Sequence, residues 1–255
     1  MAGRAPETVG GRSGSLPPAL LLLGGRGTRL GTVCEELPKP LLPVAGKPFV
    51  DHIVDWLVEQ GVRRFFFLTG YRGDQVEAYF AKQTRLGVSY SFVREAKPLG
   101  TGGAARAALE STGLREKFLL LNGDSFAPSS LAGLVEAAGQ CAGALLAGEV
   151  PEGGRFGSVE VDADGMLTGF AEKRAGAAGK RLVNLGVYCL DPNLFGRFPS
   201  GKAYSIETDF FPAWIAAGER LAVVKTTSGF IDIGTPESLQ EAEKFVTELR
   251  QKEIM

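Results

Sequence analysis

The 255-residue chain has a single histidine, His52, and only three cysteines, Cys34, Cys141 and Cys189, set far apart in no C-x-x-C spacing. That scarcity leaves no ligand set for a Cys/His zinc centre. It also confines any Ser-His-Asp mechanism to His52 as the base. His52 falls in "FVDHIVDWLVEQG", an amphipathic helical pattern, and reads as a structural or surface residue. An odd number of scattered cysteines fits buried free thiols and points to the reducing cytosol. An excess of either charge is lacking too: 28 basic and 29 acidic residues leave a net charge of −1. Neither nucleic acid nor an anionic membrane is therefore expected as a partner, although basic side chains can still gather locally around a phosphate. No apolar run approaches the ~20 residues of a membrane span. The run in "LPPALLLLGG" leads directly into glycines, and cleavage there would destroy the chain's most informative motif. It reads as a core strand, not as a signal-peptide core. Internal repeats are also missing, as is any hexapeptide β-helix pattern at the C-terminal end.

What is present suits an ordinary soluble globular protein, with 44% hydrophobic and 22% charged residues. The length allows one large domain or two small ones. Residues 1–17, rich in Gly, Ser, Pro and Arg, read as a flexible tail, and residues 18–255 as one domain because no linker divides them. Continuous apolar runs alternate with helical periods. "ALLLL" (19–23), "RRFFFLTG" (63–70), "VSYSFVRE" (88–95) and "KFLLLNGDS" (117–125) are expected as buried strands, the last ending in Asp124. Helices are expected between them, one of them opened by Asp74 as N-cap, and "SLAGLVEAAG" follows as another. Strands apolar throughout and separated by helices predict an α/β fold, a Rossmann-like, mostly parallel sheet covered on both faces. The later rhythm, with "CAGALLAGEV" extended and a hairpin about "DADG" in residues 157–173, predicts a small antiparallel elaboration. A further strand in "RLVNLGVYCLD", a helix in "IETDFFPAWIAAG", one or two strands in "RLAVVKTTSGFIDIG" and a closing helix from Pro236 complete the expectation.

The stretch "ALLLLGGRGTRLGTVCEELPKPLLPVAGKP" (19–48) joins a strand to a glycine turn and then to cations among prolines. As a dinucleotide fingerprint it has the wrong spacing, G-x-G-x-x-x-G, and four prolines predict a long irregular loop where a helix should follow. As a Walker A loop it fails because Pro48 stands where "AGKP" would need a hydroxyl. Taken as one device, its glycines let the backbone approach a triphosphate, while Arg29 and Lys39 bring charge to it. A tight turn with solvated cations is the bland alternative.

The stretches "GGRGTRL", "LPKPLLPVAGKP", "PLGTGGA", "LNGDS", "FAEK" and "FIDIGTPESL" follow one another in the order seen in sugar-1-phosphate nucleotidyltransferases, which the chain resembles over residues 19–245. Leu23 replaces the alanine usual before the glycine pair, and Leu185 replaces the small residue usual between Asn184 and Gly186. The resemblance implies the nucleotide-diphospho-sugar transferase fold and the reaction of an NTP with a sugar 1-phosphate, giving an NDP-sugar and pyrophosphate. Its nucleophile is a phosphate oxygen already anionic at neutral pH, so the near-absence of histidine is no obstacle.

The resemblance implies Arg29 and Lys39 as the catalytic cations. It places the nucleotide against Leu23, Gly24, Gly25, Gly27, Thr28, Glu95, Pro98, Gly100 and Thr101. Glu95 stands where relatives carry Gln or Glu facing the base; a carboxylate can accept the N1–H and N2–H₂ of guanine, or the N3–H of uracil. The sugar phosphate falls to Gly123, Arg155, Glu172, Lys173 and Asn184, with Arg155 alternatively capping a turn. Asp124 and Asp232 together are implied as the holders of Mg²⁺, which favours one or two carboxylates plus phosphate oxygens. Within the family the motifs, especially "GGRFGSV", "SIETDFF" and "FIDIGTPESL" in a short chain, look most like D-glycero-α-D-manno-heptose 1-phosphate guanylyltransferases. GTP and that sugar phosphate are then the expected substrates, feeding a bacterial capsule or other surface glycan from the cytoplasm. Mannose 1-phosphate guanylyltransferase and amino-sugar 1-phosphate uridylyltransferase are the near alternatives. A catalytically silent nucleotide-sugar sensor is the alternative of another class, and an oxidoreductase a third. Homo-oligomers are common among relatives, and nothing in the chain marks an interface.

Overall fold

A computed structural model describes residues 16–31, 33–150, 158–171 and 181–254. The tail expected at residues 1–17 lies almost wholly outside them, as do Arg155, Glu172 and Lys173.

Strand β1 (Ala19–Leu22) leads through the glycine turn to a short helix α1 (Val33–Glu36). A small hairpin of β2 (Pro43–Val44) and β3 (Lys47–Pro48) follows, then α2 (Phe49–Glu59). The chain continues as β4 (Arg64–Thr69), α3 (Gly73–Phe80), β5 (Ser89–Arg94) and α4 (Gly100–Thr112). It returns to the sheet in β6 (Phe118–Asn122), and β7 (Ser125–Phe126), α5 (Ala132–Gln140) and β8 (Gly143–Val150) come next. The hairpin of β9 (Ser158–Val161) and β10 (Leu167–Ala171) precedes β11 (Arg181–Leu190). The last elements are α6 (Phe211–Ala216), β12 (Leu221–Thr226), β13 (Ile231–Asp232) and α7 (Pro236–Ile254).

One nine-stranded sheet organises the molecule, running β12-β8-β11-β6-β1-β4-β5, with β9 and β10 attached to β11 as an antiparallel flap. Strands β6, β1, β4 and β5 are parallel, and so are β8 and β12, while β11 runs against both β6 and β8. Period-two alternation divides the apolar residues between the two faces. Ala19, Leu21, Leu119 and Leu121 pack with the buried sides of α2, α3, α5 and α7. Leu20, Phe118 and Leu120 pack on the other side with α4, Phe210, Phe211 and Trp214. Strands covered on both faces need no polar side, which is why "ALLLL" and "FLLL" are apolar throughout.

The topology also locates the site. The chain runs outward from β1 to β4 and β5, then crosses back to place β6 on the other side of β1. Such a reversal opens a crevice at the carboxyl ends of the two central strands, where α/β sheets bind ligands.

Three local expectations are corrected. The N-cap of α3 is Arg72, at φ 50°, and Asp74 lies inside the first turn, where its charge meets the positive end of the helix dipole. The proline-rich stretch is less irregular than expected: it contains α1, a 3₁₀ turn at Lys39–Leu41 and the β2–β3 hairpin. Strand β6 ends at Asn122, so Asp124 stands two residues beyond it, in the turn before β7. His52 is buried in α2, its Nε2 2.8 Å from the Val44 carbonyl, as a structural role requires. All three cysteines are free thiols. No helix among the described residues is long and apolar enough to cross a membrane.

Candidate active site

A cavity of about 380 Å³ opens at the reversal point. Its walls bring together residues from the ends of β1, β5 and β6 with the start of α4 and the turn carrying Lys39. Of the residues singled out in the sequence, Leu23, Gly24, Gly25, Lys39, Glu95, Pro98, Gly100, Thr101, Gly123 and Asp124 line it. Sequence reasoning missed Leu22, Arg26, Pro40, Ala104 and Asn122. Arg26 was legible in principle, as a second cation inside "GGRGTRL"; its guanidinium lies 5.8 Å from the centre of the Tyr71 ring. Arg29 is exposed on the 3₁₀ turn Thr28–Leu30 next to Gly27, and none of Gly27, Thr28 and Arg29 is among the lining residues.

Two glycines allow the walls to close. A methyl at Gly24 would fall well inside contact distance of Glu95 Oε1. A methyl at Gly123 would overlap Leu23 and come within 2.7 Å of the Leu22 carbonyl, so any side chain there forces β1 and β6 apart. Glu95 closes the opposite wall. Its Oε2 accepts a hydrogen bond from Leu99 N at 2.7 Å, which ties down the loop before α4. Burial pushes its carboxyl pKa up, and the Leu99 N–H opposes that shift.

The charged centre is the pair Lys39–Asp124. Pro38 and Pro40 flank Lys39 in its turn, and the side chain is nearly buried. Its Nζ donates to Asp124 Oδ2 at 2.6 Å, while Ser125 Oγ donates to Asp124 Oδ1 at 3.2 Å. Asp124 keeps 39% of its side chain exposed, so this carboxylate remains open to a ligand. Asp232 arrives from 108 residues further along the chain (232 − 124) because β13 pairs with β7, Asp232 opposite Ser125. Ile233 N also donates to the Asp124 carbonyl at 2.9 Å. The Asp232 side chain is buried and accepts from Gly234 N at 2.8 Å. The backbone pairing brings the two acids into neighbouring segments, although Asp232 is not among the residues that line the cavity.

The donors present suit Mg²⁺. Two carboxylates, an open one in the turn before β7 and a buried one in β13, match a cation that takes few protein ligands and completes its shell with water and phosphate oxygens. Among the described residues no group of three or more His, Cys, Asp or Glu forms a closed cage.

Asn184 is not among the residues that line the cavity. It is buried where the pairing of β11 with β8 slips between Asn184 and Tyr188. Its Oδ1 accepts from Gly186 N at 3.0 Å, and its Nδ2 donates to Tyr188 Oη at 2.7 Å and to Glu207 Oε1 at 2.6 Å. The hydroxyl of Tyr188 is held protonated, its pKa raised by complete burial and by the nearby Glu207 charge.

This fold and this crevice, with the Lys39–Asp124 pair in its wall beyond the end of β6, define a nucleotide-dependent transferase of the nucleotide-diphospho-sugar type. The chain belongs to the nucleotidyl transferase family, whose sequence model matches residues 18–249. It is 32% identical over 219 residues to the D-glycero-alpha-D-manno-heptose 1-phosphate guanylyltransferase of Campylobacter jejuni, covering 86% of this chain and 95% of that one. It is also 32% identical over 222 residues to the mannose-1-phosphate guanylyltransferase of Mycobacterium tuberculosis, covering 86% of this chain but only 61% of the relative. The crystal structure of HddC from Yersinia pseudotuberculosis, complexed with GMP-PN, superposes with a TM-score of 0.79 at 30% identity, over 90% of this chain and 99% of that one.

Proposed function

We propose that this protein is a sugar-1-phosphate guanylyltransferase whose substrates are GTP and D-glycero-α-D-manno-heptose 1-phosphate. The observation that carries the reading is the Lys39–Asp124 pair at 2.6 Å, set in a cavity whose other walls are the glycine turn and Glu95. Guanine and the heptose are supported by the Campylobacter relative and by the guanylyl-bearing ligand of the Yersinia structure. Mannose 1-phosphate is the second reading, favoured by an equal 32% identity to the Mycobacterium enzyme.

In this mechanism an anionic oxygen of the sugar phosphate attacks the α-phosphorus of GTP. A new P–O bond forms as the bond to the β-phosphate bridging oxygen breaks, and the electron pair leaves with pyrophosphate. No proton has to move, so the chain's own work is positioning and neutralisation of charge. Backbone N–H groups of the turn at Gly24 and Gly25 cradle phosphate oxygens, a use glycine allows because no Cβ intervenes. Lys39 swings its ammonium from Asp124 toward the reacting phosphates, with Arg26 in the cavity wall and Arg29 on the 3₁₀ turn that follows receiving the pyrophosphate charge. Glu95 accepts the guanine N1–H and N2–H₂. Asp124 and Asp232 would hold Mg²⁺, which when bound supplies positive charge to the phosphate oxygens.

A matrix of five nucleoside triphosphates against several sugar 1-phosphates, followed by pyrophosphate release, tests the proposal. The fastest pair should be GTP with the manno-heptose 1-phosphate. Preference for mannose 1-phosphate would select the second reading, and preference for UTP with an amino-sugar 1-phosphate would reject guanylyl transfer. Tight nucleotide-sugar binding without any pyrophosphate would make the protein a sensor instead.

A further inference from the structure

The segment Ile206–Phe210 forms a π-helical turn between β11 and α6. Such turns are uncommon and recur at functional sites. This one is locked at its start: Ser205 Oγ accepts from Thr208 N at 3.2 Å, and Ser205 N donates to Asp209 Oδ2 at 2.7 Å. It is also fastened to the cavity, because Ile206 N donates to the Oγ1 of the wall residue Thr101 at 2.9 Å. Glu207 is the next residue, exposed at the surface. Its Oε1 accepts from Asn184 Nδ2 at 2.6 Å, and among the described residues its Oε2 has no partner. Two residues on from Asn184, Gly186 abuts the side chain of Asn122, another wall residue. Neither Glu207 nor Asn184 is itself among the lining residues, but each lies within two residues of one that bonds or abuts the wall, from different elements.

The hydrogen-bond inventory assigns the recognition to the carboxylate. Both Nδ2 protons of Asn184 are committed, to Tyr188 and to Glu207, and its Oδ1 already accepts from Gly186 N. An amide so occupied has one acceptor lone pair left. The neighbouring carboxylate keeps a whole oxygen, held by a rigid turn and aimed by Asn184. We infer that Glu207 is a specificity residue for the sugar, its carboxylate accepting hydroxyl protons of the sugar 1-phosphate at the Asn184 side of the cavity. This inference rests on the reading of the protein as a sugar-1-phosphate nucleotidyltransferase. It accounts for the Asn184 network as a mount for Glu207, which completes the site from an element 23 residues further along (207 − 184).

Steady-state pyrophosphate release by the full chain tests it, using the best sugar 1-phosphate and its monodeoxy analogues. Glu207→Gln retains an acceptor for Asn184 but loses the charge that strengthens bonds from hydroxyls. Its KM for the sugar phosphate should rise roughly tenfold, and that of Glu207→Ala further, with the KM for GTP within about twofold of wild type. Wild type should discriminate against one deoxy analogue by roughly a hundredfold or more, and Glu207→Ala should lose most of that discrimination. A merely structural role predicts wild-type kinetics for Glu207→Gln, or losses in GTP and sugar parameters together with a fall in Tm; either result overturns the inference. If wild type turns over and both variants match it, Glu207 alone is wrong. If wild type releases no pyrophosphate with any pair, the proposed function fails and this inference with it.

Discussion

Replacing Lys39 with methionine separates the chemistry of the site from its stability. The substitution keeps an unbranched apolar stem in a nearly buried position and deletes only the ammonium. The lost ion pair with Asp124 should cost little, because 39% of the Asp124 side chain already faces water. Pairs with one solvated partner contribute ~0–1 kcal/mol, and removing a buried cation also removes its desolvation penalty. For a domain of this size ~1 kcal/mol corresponds to a Tm shift of about 2–4 °C. The transition state loses much more. A unit charge ~4 Å from a phosphoryl oxygen contributes ~4 kcal/mol at an effective dielectric constant of ~20. At ~1.4 kcal/mol per factor of ten, kcat/KM should fall by ~10³. Pyrophosphate release measured beside a thermal melt reads both quantities. A Lys39→Met protein that keeps kcat/KM within tenfold of wild type refutes the catalytic assignment. One that loses ~10 °C or more in Tm shows instead that the lysine is a structural strut.

Asp124→Asn and Asp232→Asn should each lower turnover by ~10²-fold or more, and the Mg²⁺ concentration at half-maximal rate should rise in whatever activity remains; near-wild-type rates with Mg²⁺ would remove the metal assignment. Gly123→Ala forces a methyl to within 2.7 Å of the Leu22 carbonyl, so β1 and β6 must separate. A cost of ~1–3 kcal/mol in urea unfolding and a raised KM for the nucleotide should follow. His52 is held neutral by burial, with Lys47 and Arg250 also lowering its pKa against the opposing Val44 carbonyl and Asp55. Its contribution to stability is complete above the unfolded pKa of about 6.5 and is lost as pH falls through the depressed folded pKa. The drop in Tm of wild type between pH 7 and pH 5 should therefore shrink in His52→Gln, and equal drops in the two proteins would contradict this account.

The sequence by itself determined the architecture, because burial on both sheet faces leaves a mark that needs no knowledge of partners. "ALLLL" (19–23), "FFFL" (65–68) and "FLLL" (118–121) are apolar at every position, and helical periods separate them. It also exposed the glycine turn proposed to hold phosphate, since a close backbone approach demands glycine, and it singled out Lys39 by the prolines that fix its turn. Tertiary structure alone decided which residues face one another. Nothing local in "FIDIG" says that Asp232 will lie opposite Ser125, because that pairing arises between strands more than a hundred residues apart. Arg26 lines the cavity and Arg29 does not, a distinction set by the left-handed Gly27 that turns the chain between them. Glu207 stands in "SIETDFF", yet the sequence assigned it no role: its meaning depends on Asn184, and only the folded sheet brings a π-turn carboxylate to a strand amide. Periodicity reports which side of an element is buried, whereas a site is a meeting of elements, and loop closure over long separations is decided by the whole fold.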